Sequence, residues 1–211
     1  RVMKPASLIQ FTAKQLSESL PEDTASLREA CATLSACDLL TPYEGTDVIG
    51  SNGNVSERRA TGFIITATQL PAKQNLAPDD CVHIETCAAG EARFHGVKFP
   101  SSESLMHGYL FEIFPAIQAI VHVHESNDLL YSETGHAHWA ELGIVETASD
   151  VGGGTLAVGE ATAAAFSDES NYVILKNHRP DWDLGRTGTV VMGQTLREAV
   201  NRTLAVHKGL K

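Results

Sequence analysis

The chain has 211 residues, 43% of them apolar and 20% charged, which fits one globular domain with a sizeable core. Its formal net charge of −10 repels polyanions and argues against a nucleic-acid partner; a small anionic substrate then needs local compensation from a metal, a helix N-terminus or backbone N–H groups. No apolar run reaches the ~18 residues that span a bilayer, no secretory leader pattern opens the sequence, and Cys31, Cys37, Cys81 and Cys87 lack zinc-knuckle or redox spacing, so the expectation is a cytoplasmic protein with reduced, mostly buried thiols.

Residues 5–20 read as a short helix and 24–40 as a clearer one, with Thr24 as its cap and a stripe of Leu27, Ala30, Cys31, Leu34 and Leu39. Residues 41–54, rich in Pro, Gly and Asn, read as loop, and Gly53-Asn54-Val55-Ser56 as a tight turn leading into Glu57-Arg58. Phe63-Ile64-Ile65-Thr66 and Cys81-Val82-His83-Ile84 are short strands, the second preceded by the turn Ala77-Pro78-Asp79-Asp80. Pro100-Ser101-Ser102-Glu103 opens a helix that runs through Phe114 and ends at Pro115; residues 119–124 form an apolar, β-branched strand. Residues 126–139 are helix or loop, 144–147 a strand, 151–154 a loop, 159–166 a helix and 172–176 a strand. Residues 179–188 fit no element, 189–192 return to strand, and 195–207 form an amphipathic helix. One mixed α/β domain over residues 1–211 is expected, with a central, mostly antiparallel sheet and helices on its faces.

In the strand Ala119-Ile120-Val121-His122-Val123-His124 the two histidines are two apart and face one side. They are either a ligand pair on a rigid strand end or two polar residues at a strand exit. His178, after the apolar run Val173-Ile174-Leu175, is the natural third ligand, though a lone histidine there also fits a turn. Three neutral imidazoles leave a metal with an open position; Zn2+ suits them best, with Mn2+, Fe2+, Co2+ and Ni2+ compatible. Ser101 and Ser102 either cap the helix or hold a phosphate at its N-terminus. Glu103 then lies in the first turn beside that ligand, with His107 at i+4 in a supporting role. Asn54 and Thr68 add an amide and a hydroxyl on neighbouring turns.

These pieces together resemble the class II aldolase/adducin family, the family of L-fuculose-phosphate aldolase and L-ribulose-5-phosphate 4-epimerase. The matching text is Gly53-Asn54-Val55-Ser56-Glu57-Arg58, Gly62-Phe63-Ile64-Ile65-Thr66, Leu76-Ala77-Pro78-Asp79-Asp80, Pro100-Ser101-Ser102-Glu103 with His107, the strand ending in His122-Val123-His124, and Asn177-His178. The motifs fall in family order over residues 25–207. The resemblance implies a three-layer α/β/α sandwich of the class II aldolase type, usually assembled as a cyclic homotetramer with sites at subunit interfaces. It implies one divalent metal per subunit on His122, His124 and His178, a catalytic Glu103, and a phosphate cradle of Asn54, Thr68, Ser101 and Ser102. The implied activity is a lyase that cleaves a small sugar phosphate or related keto compound through a metal-stabilised enediolate. An epimerase or dehydratase on the same scaffold, or a non-catalytic adducin-like interaction protein, are the alternatives.

Three features depart from the family pattern. Gln69 follows Thr68 where glycine is usual. Residues 179–188 intervene between Asn177-His178 and the strand Thr189-Val190-Val191-Met192. No tyrosine lies near residues 144–150 to act as proton donor, only Glu146, Thr147 and Asp150.

Overall fold

The computed structural model describes residues 10–20, 22–88 and 90–211. Its strands are β1 (Thr12–Ser17), β2 (Asn54–Arg58), β3 (Phe63–Thr66), β4 (Cys81–Ala88), β5 (Glu91–His95), β6 (Ala119–Ser126), β7 (Ile144–Glu146), β8 (Tyr172–Ile174) and β9 (Arg186–Gly193). Its helices are α1 (Ala25–Ser35), α2 (Ser104–Ile113), α3 (Asn127–Leu130), α4 (Glu133–Ala137), α5 (Leu156–Ala165) and α6 (Leu196–Gly209). The strands form one sheet in the order β1-β5-β4-β3-β2-β6-β9-β8-β7. Only the two outermost pairings, β1 with β5 and β7 with β8, are parallel. The expected mostly antiparallel sheet is therefore present.

β6 lies in the middle, antiparallel to β2 on one side and to β9 on the other. Every residue from Ala119 to Glu125 is buried, which suits a β-branched, apolar strand covered on both faces. Residues directly opposite in an antiparallel pair share a face. Ser56 pairs with Ile120 and hydrogen-bonds His107 of α2, so α2 covers the face that carries Ile120, His122 and His124. Glu125 points the other way, to His207 of α6. α5 packs on α2 and α1 on α6, which completes the two helical layers. Among the described residues no helix is long and apolar enough to cross a membrane.

The helix expected over residues 5–20 is not what forms where the structure describes it. Residues 12–17 are the edge strand β1, and residues 5–9 lie outside the described residues. Phe11 and Ala13 are buried at a spacing of two, and pairing along β5 outweighs a weak helical pattern. α1 begins beside Thr24 as expected but stops at Ser35, and Asp38 reverses the chain at φ 57°. Leu39 is buried by the following turn rather than by the helix. Asn54 to Arg58, read as a turn and its exit, is strand β2, and β5, in which buried Ala92 and Phe94 alternate with polar residues, is too short a run to stand out. Of the unassigned residues 179–188, the last three already belong to β9, paired with Ser126, Glu125 and His124.

Candidate metal centre and its cleft

His122 and His124 stand on the same face of β6, as their spacing requires. His178 reaches them from the turn after β8. Its N–H bonds the Leu175 carbonyl, and its carbonyl accepts from Gly188 on β9. One nitrogen of each ring lies within 4.8 Å of one nitrogen of the other two. All three side chains are buried.

The donor set fits a divalent metal. His122 Nδ1 lies 2.9 Å from the Thr189 carbonyl, and His178 Nδ1 lies 3.3 Å from the Val151 carbonyl. A carbonyl only accepts, so each Nδ1 carries the proton and each Nε2 keeps its lone pair for an ion. Burial, then the neighbouring histidines, holds His122 and His124 well below the usual imidazole range, so both are neutral at pH 7, as metal binding requires. The close approach of two rings depends on Gly188. A Cβ there would lie 2.5 Å from His178 Cδ2 and 2.9 Å from His122 Cε1.

Glu103 is at the N-cap of α2, just before the first turn rather than in it. Its Oε1 accepts from the Gly154 N–H at 2.9 Å and lies 3.7 Å from His178 Nε2. Its Oε2 is buried with no hydrogen-bond partner among the described residues. Burial raises the Glu103 pKa, against the opposing pull of His178 and the Gly154 N–H. The run Val151-Gly152-Gly153-Gly154 is the loop that makes this possible, since a Cβ at Gly153 would lie 2.9 Å from Glu103 Oε1.

Asn54, Thr68, Ser101, Ser102, Glu103, His122, His124 and His178 all line one cleft of about 200 Å³. Asn54 is placed by Gly53, whose φ of 70° and closeness to the His122 carbonyl (2.4 Å from an added Cβ) admit no side chain. Asn54 then pairs with His122 across the sheet. Ser101 Oγ accepts from the Glu103 N–H at 3.3 Å, so it serves the helix start while facing the cleft. Gln69 takes φ 56°, the left-handed conformation that a glycine would adopt freely. His107 lies off the cleft: its Nδ1 is 2.6 Å from Ser56 Oγ, and it makes no hydrogen bond to the Glu103 carboxylate. Burial pushes its pKa down to about 3.

The structure adds residues that no sequence signal marked. Lys73 lines the cleft although only 3% exposed, and its Nζ donates to Ser51 Oγ at 2.6 Å and the Ser51 carbonyl at 2.9 Å. Burial pushes its pKa down to about 8. Among the described residues it has no carboxylate partner, so it is a positive charge held under the cleft of an acidic protein. Tyr43 and Asn52 line the cleft as well.

A model of the class II aldolase and adducin N-terminal domain family matches residues 32–211. The chain belongs to the class II aldolase/adducin family. A 5-methylthioribulose-1-phosphate/5-deoxyribulose-1-phosphate aldolase of Escherichia coli O45:K1 (strain S88 / ExPEC) is 32% identical over 88 residues, which span 42% of this chain and 39% of that relative. The aligned part is thus well under half of the relative's length. L-fuculose-1-phosphate aldolase from Thermus thermophilus has a similar fold, with a TM-score of 0.59 at 19% identity over 88% of this chain and 89% of its own. A sugar-phosphate aldolase from Thermotoga maritima gives 0.63 at 19% identity over 88% and 91%. At such identities the likeness concerns the fold.

Proposed function

We propose that the chain is a divalent-metal-dependent lyase that breaks the carbon–carbon bond between the α and β carbons of a small phosphorylated keto sugar. The observation that carries this reading is the buried trio His122, His124 and His178 with the Glu103 carboxylate 3.7 Å from His178 in the same cleft. The metal, best matched by Zn2+, would supply a Lewis acid for the substrate's carbonyl oxygen. Glu103 moves the proton at the carbon beside that carbonyl. Its Oε1 is pinned by Gly154, which leaves Oε2 free to face the carbon, and the pKa raised by burial makes it a stronger base than a free carboxylate. Asn54, Thr68, Ser101 and Ser102 hold the phosphate at the start of α2, where the free N–H groups and the helix dipole favour an anion. Lys73 adds positive charge beneath that cradle. These groups position the substrate rather than react with it.

Metal analysis and product analysis test the reading together. The purified chain is expected to hold one divalent ion per subunit and to release a dihydroxyacetone phosphate fragment from one member of a panel of ketose 1-phosphates. A chain that binds no divalent ion, or that converts such substrates only to an isomer or a dehydrated product, is not this lyase.

A further inference from the structure

Residues 179–185, which follow the third histidine, are tied to the rest of the fold through residues 182–185. The Asp183 carboxylate accepts from Asn52 Nδ2 at 2.7 Å, a contact that joins positions 131 apart in sequence. The Trp182 ring meets the edge of Tyr43, with centroids 5.4 Å apart and planes at 69°. Asn127 donates through its side chain to the Leu184 carbonyl and through its backbone to Gly185, both at 2.9 Å. The segment is therefore a fixed wall rather than a swinging lid. It joins the metal ligand His178 to the loop that carries Tyr43, Asn52 and Asn54.

Tyr43 is held between Trp182 and Gly50; a Cβ at Gly50 would lie 2.5 Å from its ring. It lines the cleft next to Ile49, which is 64% exposed, and Pro180. The cleft thus has two characters. Asn54, Thr68, Ser101, Ser102 and the histidines offer polar groups, while Tyr43, Ile49 and Pro180 offer apolar surface. Burial, then the Glu103 and Asp183 carboxylates, pushes the Tyr43 pKa up to about 12, so its hydroxyl stays neutral.

We propose that residues 179–185 form a specificity wall that presents Tyr43, with Ile49 and Pro180, to the end of the substrate remote from its phosphate, and that the wall selects an apolar group there over a hydroxylated one. Burying a hydroxyl against carbon without a partner is costly, whereas an apolar group gains from leaving water. Tyr43 touches the substrate; Trp182 and Asp183 position it and the Asn52 loop. The inference rests on the cleft being a substrate site for phosphorylated sugars, the reading given above.

Calorimetry with the metal-loaded protein tests the selection without relying on turnover. The probes are inorganic phosphate and pairs of phosphate monoesters of equal carbon number, such as butyl phosphate and 4-hydroxybutyl phosphate. The butyl ester is expected to bind at least about 5-fold more tightly than its hydroxylated partner. Tyr43→Ala and Trp182→Ala should each bring the two esters within about 2-fold of one another, while Trp182→Phe and Asp183→Asn keep the preference, since phenyl still packs on Tyr43 and the asparagine oxygen still accepts from Asn52. Inorganic phosphate should bind all variants alike, and their melting temperatures check that they fold. Equal binding of both esters by the unaltered protein, no binding of either, or a preference that survives Tyr43→Ala overturns the proposal. Failure of the lyase reading would show instead in the product assay, with the ester preference intact.

Discussion

Gly188→Ala puts the geometry of the histidine trio to a sharp test. The new methyl group would lie 2.5 Å from His178 Cδ2, about 0.9 Å inside the 3.4 Å at which ordinary contact begins, and 2.9 Å from His122 Cε1. Neither ring can yield along its own chain: His178 is held by Leu175 and Gly188 backbone bonds, and His122 by the Thr189 carbonyl. Metal–nitrogen bonds tolerate displacements of only ~0.2 Å, so a shift several times larger removes at least one ligand. Disturbing a residue that merely orients a ligand costs roughly 10–100-fold in affinity. Losing a ligand should cost at least the upper figure, about 2.7 kcal/mol or more. Gly188 sits in strand β9 with no left-handed φ, so alanine suits its backbone, and the apo protein should lose only the roughly 1–3 kcal/mol of an overpacked buried site and still melt cooperatively. Zinc titration against a competing chelator reads the affinity, and apo thermal denaturation reads the fold. A Gly188→Ala affinity within 3-fold of the parent would show that the three rings are not the ligand set.

Other predictions concern single groups. Glu103→Gln keeps an oxygen for the Gly154 N–H and should retain the metal, while turnover falls by about 10²–10⁴-fold; unchanged turnover would remove Glu103 from proton transfer. Gln69→Gly relieves a left-handed residue and should leave the protein as stable as before or more so, by up to about 1 kcal/mol in urea denaturation; a loss of more than that would assign the Gln69 side chain a role of its own. Stability should also fall above pH 9 under reducing conditions. Burial pushes Cys31, Cys81 and Cys87 up to about 12 from 9.0, so the unfolded chain releases their protons first and the stability present below pH 9 is lost as the pH climbs towards 12. Lys73, pushed down to about 8 from 10.5, works in the opposite sense between those values, because there the unfolded chain binds the extra proton. Three thiols against one amine leave a net loss of about 2 kcal/mol per pH unit between pH 9 and 10. Urea midpoints that stay level or rise over that interval would mean that the thiols ionise within the fold.

Much of the site is legible in the chain because the motifs are local. Two histidines two apart on an apolar β-branched run must share a face, whatever surrounds them. Pro100 followed by two serines and a glutamate marks a helix start, and α2 begins there with Glu103 at its cap. Gly53-Asn54 marks a turn, though the strand that leaves it could be recognised only by its neighbour β6. Local pattern failed at the sheet edge. β1, the edge strand, mixes polar and apolar residues with only Ala13 buried within it, so its periodicity is weak and its pairing with β5 decides its conformation, while β5 alternates over just five residues. It also failed for Lys73, a lone lysine in a loop, whose burial beneath the cleft follows only from the carbonyl and hydroxyl oxygens that the turn at Ser51 and Asn52 turns towards it.

By itself, the order of motifs determined the family, the mixed α/β class, the shared face of His122 and His124, and the helix that starts at Glu103. Each rests on backbone periodicity or on residues adjacent in the chain. The resemblance named His178, which spacing alone left open, and the tertiary structure brought it to that pair; only the tertiary structure decided that His107 turns to Ser56 rather than to Glu103, and that residues 179–185 lock onto Tyr43 and Asn52. Those contacts join residues tens of positions apart, brought together by the pairing of β6 with β9 and the folding-back of the turn after β8. Sequence spacing carries no record of such meetings, because they are set by which strands become neighbours.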